Sequence, residues 1–192
     1  MDERMRTIFV LALLTGMRIG EILALRVEDV DLIGGLLQVR RDVYRGHVQD
    51  GPKTKRSERR IPSAAFLIAT IHAWKVKRPA GSSWLFPSEA GTPYHDRNLL
   101  RREVWPVCDR LGIPRFGWHS CRHSFTTYGG NSGVPLPVLQ SVLGHTSAET
   151  TMSYTHPLVE AQRRAVEELA AILFPNVPIL DAPQDGTKAV IQ

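Results

Sequence analysis

The sequence predicts an α+β domain that is mostly α-helical and carries a small antiparallel β-sheet or hairpin on one side. Three observations lead to this fold class. Apolar residues recur at helical spacing over most of the chain. Strand-like runs bounded by turn residues are concentrated between residues 31 and 62. A chain of 192 residues with 43% hydrophobic and 22% charged side chains suits one globular domain.

Composition limits the compartment and the partners. The longest apolar run, residues 8–14, is far too short to cross a membrane. Two cysteines are too few for a disulfide framework, so we expect a cytoplasmic protein with no membrane partner. The net charge of +5 permits a polyanionic partner, although a basic stretch is equally compatible with a solvated face. The basic residues cluster at Arg40, Arg41, Arg45, Lys53, Lys55, Arg56, Arg59 and Arg60, and again at Arg97, Arg101 and Arg102.

Two helices are predicted at the start of the chain. Asp2 can cap a first helix that ends near Gly16. A second, short helix begins near Arg18, which places Arg18 and Glu21 three residues apart on one face. There the carboxylate can orient the guanidinium, although the pair could also be only a surface ion pair. The apolar stripe predicted for the first helix consists of Ile8, Leu11 and Leu14.

A small sheet and a third helix follow. Residues 34–35, both glycine, predict a turn before a strand at Leu36–Val39. A polar loop then leads to a second strand at Arg59–Pro62, which makes a long basic hairpin. Helical periodicity returns at 64–77. The apolar positions predicted for this helix are Phe66, Ile68, Ile71 and Trp74.

The middle of the chain is predicted to form a loop and one interrupted helix. Residues 79–93 are rich in Gly, Ser and Pro, and only 84–86 among them suggest a short buried extended piece. Asp96 can cap the next helix, which should end near Gly112 and be kinked or broken at Pro106.

Four further helices are predicted near residues 119–128, 135–143, 147–154 and 157–174. The first of these should end early, because each of the glycines at 129 and 130 costs roughly 1 kcal/mol in a helix interior. Cys121 should be a small buried apolar residue. Beyond Pro175 the chain is punctuated by Pro, Asp and Gly, and residues 176–192 are predicted to be a loosely ordered tail.

The most informative feature is an ordered series of polar residues spread through these elements. Each piece alone is a weak signal: an arginine near a glutamate, a Leu-Gly-His helix end or a single tyrosine is usually structural. The joint occurrence in this order is much more specific. The series is Arg18 in Thr-Gly-Met-Arg-Ile-Gly-Glu, a lysine hairpin Gly-Pro-Lys-Thr-Lys-Arg at 51–56, His119 and Arg122 in His-Ser-Cys-Arg-His, His145 in Leu-Gly-His, and Tyr154 nine residues later.

This order and spacing resembles the catalytic domain of the tyrosine recombinases, the phage-integrase family of site-specific DNA recombinases. The resemblance covers roughly residues 3 to 170. It implies a catalytic domain over residues 1–175 that cleaves and rejoins DNA strands through a 3′-phosphotyrosine intermediate. Relatives usually carry a helical core-binding domain in front, and the first predicted helix begins so close to Met1 that we expect this domain to be absent from the chain.

The chemistry of strand cleavage explains why these residue types are needed. Tyr154 must attack a phosphodiester, the phosphorus then carries extra negative charge, and the departing 5′ oxygen needs a proton. Two arginines can hold the phosphate with planar forks that stay charged. By resemblance, the catalytic roles pass to Arg18, Lys53, His119, Arg122, His145 and the nucleophile Tyr154, with Glu21 in support.

The lysine remains open between Lys53 and Lys55, with Lys53 preferred in Pro-Lys-Thr. No metal and no ATP is expected, because several cationic groups are present and the phosphotyrosine stores the bond energy. The expected partner is double-stranded DNA, on which a protein that is monomeric in solution would assemble into a tetramer. A bacterial or phage-encoded, nucleoid-associated protein is implied. The residues predicted to contact DNA are Lys55, Arg56, Arg97, Arg101 and Arg115.

Three other readings compete with an active recombinase. A catalytically silent DNA-binding or regulatory fragment would keep the fold but would not need a nucleophile at Tyr154. A type IB topoisomerase uses related tyrosine chemistry without exchanging a second strand. A zinc hydrolase could use His119, Cys121 and His123, but no His-Glu-x-x-His pattern exists and Arg122 would bring a fixed positive charge to the metal.

Overall fold

The computed structural model describes residues 2–49 and 58–144, and within these ranges the protein is an α+β fold that is mostly helical. The predicted fold class is therefore confirmed. The helices are α1 (Glu3–Thr15), α2 (Ile19–Leu23), α3 (Ala65–Lys77), α4 (Asp96–Leu99), α5 (Trp105–Leu111), α6 (Trp118–Asn131) and α7 (Leu136–Leu143), and the strands are β1 (Val30–Asp31), β2 (Leu36–Val39), β3 (Asp42–Tyr44), β4 (His47–Gln49) and β5 (Arg59–Pro62).

Local capping determines both ends of α1. The Asp2 carboxylate accepts a hydrogen bond from the Met5 N–H at 2.8 Å, which satisfies one of the unpaired donors of the first turn. Gly16 ends the helix in the left-handed conformation, with φ of 59°, and its N–H donates to the Ala12 carbonyl at 3.1 Å. The start and the end of this helix are as predicted.

The predicted stripes of α1 and α3 are buried at Ile8, Leu11, Ile71 and Trp74, but each stripe contains one exposed residue. Leu14 is 46% exposed and Phe66 is 58% exposed, so both were wrongly predicted to be core residues. Their neighbours Thr15 and Leu67 are buried instead. Helix α1 packs against α2, α3 and α6, and its buried face includes the polar Thr7 and Thr15 beside the apolar Ile8 and Leu11.

The sheet contains more strands than predicted. Strands β1, β2 and β5 form a three-stranded antiparallel sheet, in which Leu37 lies opposite Ile61 in the core. The stretch predicted to be a polar loop contains a second hairpin, β3–β4, which packs against α2. Gly20 makes this close packing possible, because a Cβ there would collide with Asp42 and would lie 2.5 Å from the Val43 carbonyl oxygen.

The helix predicted from Asp96 to Gly112 is interrupted as expected. Between α4 and α5 the chain makes one π-helical turn, Leu100–Val104, directly before Pro106 in the first turn of α5. A proline has no N–H to donate to the preceding turn, which accounts for the break. Gly112 ends α5 with φ of 65°. The predicted cap is wrong by one residue, because His95 is the N-cap and Asp96 is the first helical residue.

Helix α6 does not end early, contrary to the prediction, and runs through both glycines to Asn131. Packing against α7 explains this. A Cβ on Gly129 would lie 2.7 Å from Cδ2 of Leu139, so the glycine allows the two helices to approach closely. The tertiary contact outweighs the unfavourable helix propensity of glycine. Cys121 is buried on this helix, as predicted.

The helices predicted at 147–154 and 157–174 and the tail at 176–192 lie outside the described residues. Within ranges 2–49 and 58–144, no helix has both the length and the apolar character needed to cross a membrane.

Candidate active site

Arg18 stands at the N-cap of α2 with its side chain about half exposed. The Glu21 carboxylate folds back over this end of the helix. It accepts from the Arg18 backbone N–H at 2.9 Å and from Arg18 Nη1 at 3.2 Å. Glu21 itself is buried, with 7% of its side chain exposed, so this is more than a surface ion pair. The carboxylate therefore fixes both the backbone and the guanidinium of Arg18.

Arg59 is a member of this site that the sequence interpretation missed. Its Nη1 and Nη2 donate to the two Glu21 carboxylate oxygens at 3.0 and 2.8 Å, and its Nε donates to the Val142 carbonyl at 2.7 Å. The side chain is only 8% exposed. Strand periodicity could have revealed it, because Arg59 and the buried Ile61 are two residues apart on β5 and face the same side. A buried arginine needs hydrogen-bond acceptors for its charged side chain, and a carboxylate is a favourable one.

Burial and pairing act on Glu21 in opposite directions. Burial alone would raise the pKa of the Glu21 carboxyl. The hydrogen bonds and positive charges of Arg59, followed by those of Arg18, outweigh burial and lower the pKa below its ordinary value of 4.5. Glu21 is therefore a stable anion between two arginines at neutral pH.

Arg122 lies in α6 and is 4% exposed. Its Nη1 donates to the Gly16 carbonyl at 2.6 Å and its Nη2 to the Leu143 carbonyl at 2.7 Å. Gly16 ends α1 and Leu143 ends α7, so one guanidinium joins three helices. A Cβ on Gly16 would also lie 2.7 Å from both Leu143 and Phe125, which makes this junction tight.

His119 lies one turn before Arg122 on α6 and is exposed. Its ring contacts that of His123 edge to face, with centroids 4.9 Å apart. Partial burial, followed by the positive charges of His123, Arg122 and Arg18, lowers the pKa of His119 below 6.5. Arg122 binds the carbonyl of Gly16, two residues before Arg18, so the α6 face that carries His119 and Arg122 lies next to the segment that carries Arg18. At neutral pH the imidazole is mainly uncharged and can exchange a proton.

This convergence brings together part of the predicted catalytic set. Arg18, Glu21, His119 and Arg122 meet where α1, α2, α6 and α7 join. The other predicted catalytic residues, Lys53, His145 and Tyr154, lie outside the described residues. What is described can bind an anion through arginine forks and can supply an imidazole beside it.

Three of the predicted DNA-contacting residues are described, and they lie on α4, on the π-helical turn and after α5. Arg97 and Arg101 are exposed on α4 and on the π-helical turn, and Arg101 lines a shallow surface pocket with Asn98 and Arg102. Arg115 makes a two-pronged ion pair with Asp109, at 2.8 and 2.7 Å, and its guanidinium lies 5.5 Å from the Trp105 ring. Lys55 and Arg56 lie outside the described residues.

The zinc alternative gains no support from the described geometry. In residues 2–49 and 58–144, no three His, Cys, Asp or Glu side chains are grouped so that they could hold a metal ion. Cys121 is 4% exposed in the core, and burial raises the pKa of its thiol, which makes it a poor ligand beside the exposed His119.

The chain is similar in sequence to one family of known proteins. The model of the phage integrase family matches residues 1–161. Among curated relatives, a tyrosine recombinase XerC-like protein of Caldanaerobacter subterraneus subsp. tengcongensis is 31% identical over 87% of this chain and 49% of its own length. Tyrosine recombinase XerA of Thermococcus onnurineus is 33% identical over 88% of this chain and 57% of its own. The chain thus spans about half the length of these relatives.

Solved structures share the fold. The Tn1549 transposon integrase in complex with circular intermediate DNA superposes with a TM-score of 0.73 at 25% identity, over 85% of this chain and 59% of the integrase. The XerH site-specific recombinase bound to its difH substrate gives a TM-score of 0.64 at 27% identity, over 85% of this chain and 46% of XerH.

Proposed function

The chain belongs to the phage integrase family, the tyrosine recombinases, and we propose that it breaks and rejoins DNA strands at specific sites through a 3′-phosphotyrosine intermediate. The observation that carries this proposal is the hydrogen bond from Arg122 to the Gly16 carbonyl, which brings the α6 face of His119 and Arg122 next to the segment that carries Arg18. The family membership and the DNA-bound relatives support it.

In the proposed reaction the Tyr154 hydroxyl loses its proton and attacks the phosphorus, while the bond to the 5′ oxygen breaks. Arg18 and Arg122 stabilise the charge on the non-bridging oxygens. Lys53 donates a proton to the departing 5′ oxygen, and His119 or His145 accepts the proton that Tyr154 loses. The reverse attack by a 5′ hydroxyl restores the phosphodiester and frees the tyrosine. The bond energy is conserved, so no nucleotide is consumed.

The proposed partner is double-stranded DNA. The net charge of +5 and the exposed arginines at 97 and 101 suit a polyanion. Exchange of strands between two duplexes requires four active sites, so we propose assembly into a tetramer on DNA.

Covalent trapping tests the proposal. Labelled, nicked DNA from a broad fragment pool is incubated with the protein in EDTA, denatured and resolved beside Tyr154→Phe. We expect a shifted adduct that resists the chelator and disappears in Tyr154→Phe. Tyr128→Phe is the matched control, because Tyr128 is an exposed tyrosine on α6 and its replacement should leave the adduct intact.

The outcomes separate the competing functions. DNA binding without an adduct would favour the silent DNA-binding fragment. If the protein forms the adduct and relaxes supercoiled DNA but never joins two duplexes, a topoisomerase would be favoured. Activity that is lost in EDTA would favour a metal-dependent hydrolase.

A further inference from the structure

The last turn of α7 is held by two buried arginines from different parts of the chain. Arg59 of β5 donates to the Val142 carbonyl and Arg122 of α6 donates to the Leu143 carbonyl. The final carbonyls of a helix have no partner within the helix, and its C-terminus attracts positive charge. Gly144 follows in the left-handed conformation with φ of 66°, and His145 is the next residue in the sequence.

Arg59 also binds Glu21 of α2. Its three nitrogen atoms are all engaged, two with Glu21 and one with Val142. Glu21 in turn binds the backbone and side chain of Arg18. Arg59 therefore links the end of α7, which precedes His145, to the carboxylate that holds Arg18.

Space around this connection is limited. A Cβ on Gly144 would lie 3.0 Å from Arg59 Nη1, so the turn after α7 rests directly against the guanidinium. Val39, the partner of Arg59 in the β2–β5 register, is 3% exposed, which fixes the strand beneath it. Arg59 is also the second described residue after the segment 50–57, which contains Lys53 and Lys55.

We infer that Arg59 is a positioning residue for strand cleavage, which couples the turn after α7 to the Arg18–Glu21 pair. This inference rests on the proposed function for its catalytic meaning. It assigns Arg59 no contact with DNA. The side chain acts through Glu21 and through the Val142 carbonyl, and its task requires a planar fork with a third donor. A lysine would supply the charge but not the three simultaneous hydrogen bonds.

The first arm of the test measures the coupling without DNA. Residue-resolved amide hydrogen exchange is recorded for the 192-residue protein, for Arg59→Lys and for Glu21→Gln. We expect the Gly144 amide to exchange faster in both variants, while amides of α3 keep their wild-type rates. Glu21→Gln is the sharper variant, because it leaves the Arg59 side chain unchanged and alters only the carboxylate that Arg59 joins to the Val142 carbonyl of α7. Unchanged exchange at Gly144 in both variants would overturn the inference.

The second arm measures the consequence for the reaction. Adduct formation is followed in a single turnover at saturating DNA, with the DNA Kd measured separately. We expect Arg59→Lys to slow adduct formation by ~10²-fold, as small displacements of reacting groups do, and to leave Kd unchanged. Arg60→Lys is the matched control on the exposed side of the same strand and should react at the wild-type rate.

The two arms distinguish the possible failures. If Arg59→Lys reacts at the wild-type rate, or if its rate and Kd change together, Arg59 is not a positioning residue for cleavage. If Arg59→Lys does not fold, Glu21→Gln still decides the coupling through the exchange of Gly144. If the wild-type protein forms no Tyr154-dependent adduct while the exchange pattern is present, the proposed function fails and the coupling is a property of the fold alone.

Discussion

Two ion pairs in this protein have nearly the same geometry and very different surroundings. Arg59 binds Glu21 through two hydrogen bonds of 3.0 and 2.8 Å, and Arg115 binds Asp109 through two of 2.8 and 2.7 Å. The first pair has 8% and 7% of its side chains exposed, the second 57% and 50%. Hydrogen-bond geometry alone therefore does not show which of the two pairs matters more for stability. Burial makes the first pair costly to break, whereas water and salt can replace the second.

The largest expected effect comes from breaking the buried pair on one side. Arg59→Met leaves the Glu21 carboxylate buried without its main partner, and we expect the free energy of unfolding to fall by about 3–5 kcal/mol. Thermal melting followed by circular dichroism measures this. Arg115→Met is the matched control and should melt close to the wild-type protein. Equal losses in the two variants would contradict the ranking by burial.

Removing both buried charges should cost less than removing one. In Glu21→Met with Arg59→Met, apolar side chains of similar length occupy the site and no buried charge is left unpaired, because Arg18, which also loses its partner, is half exposed to water. We expect this double variant to be more stable than Arg59→Met alone. Chemical denaturation of the wild-type protein, both single variants and the double variant completes the cycle. A double variant that is less stable than Arg59→Met would mean that Glu21 stabilises the fold independently of Arg59.

The stability contributed by the buried Glu21 carboxylate should also depend on pH. The pKa of Glu21 is lower in the folded protein than its ordinary 4.5, so its stabilising contribution is present above that pH. The contribution is lost as pH falls through the folded pKa. We therefore expect the stability difference between the wild-type protein and Glu21→Gln to shrink below about pH 4.5. The measurement is unfolding by denaturant across this pH range.

The exposed pair provides the control for the acid experiment. The hydrogen bond from Arg115 also lowers the pKa of Asp109, but both side chains are open to solvent. Asp109→Asn should differ little from the wild-type protein at any pH, and added salt should remove the difference. A strong, salt-resistant effect at Asp109 would contradict this expectation.

The smallest expected effect is a change in the pKa of His119, which depends on the charged groups near it. His119 should titrate below 6.5 in NMR spectra, because of its partial burial and then the charges of His123, Arg122 and Arg18. His123→Gln removes the largest of these charge effects, so the pKa of His119 should rise. Replacing the distant His72, an exposed residue of α3, should leave the titration unchanged.

The parts of the fold that depend on neighbouring residues were predictable. Asp2 and Gly16 cap the two ends of α1 through contacts within one turn. Arg18 and Glu21 are in contact because they are three residues apart at the start of α2. Pro106 lies in the first turn of α5 and has no backbone N–H to donate to the preceding turn, so the sequence shows where the helix is interrupted. Each of these signals is local and therefore readable in the sequence.

The β3–β4 hairpin was missed for a specific reason. Its two turn residues, Arg45 and Gly46, both have positive φ, 52° and 80°. Such turns are usually signalled by Asn-Gly or Asp-Gly, whereas arginine rarely adopts this conformation. Here the Arg45 guanidinium lies 5.2 Å from the Tyr44 ring, a favourable contact that the sequence pattern does not reveal.

The site was only partly predictable because its supports come from distant segments. Arg18, His119 and Arg122 were recognisable as a series, but the roles of the Val142 and Leu143 carbonyls follow only from the folded backbone. Arg59 lies 38 positions after its partner Glu21 in the sequence. Long-range hydrogen bonds of this kind have no periodic signature.

The close approach of α6 and α7 at Gly129 has a consequence for how this sequence can vary. Gly129 faces Leu139, and one turn further along α7 the Leu143 carbonyl rests on Arg122 of the same α6. Volume added at position 129 would push α7 away and lengthen the hydrogen bond at its end. Positions 129 and 139 should therefore exchange size in a compensating way during evolution, with a larger residue at one accompanied by a smaller residue at the other.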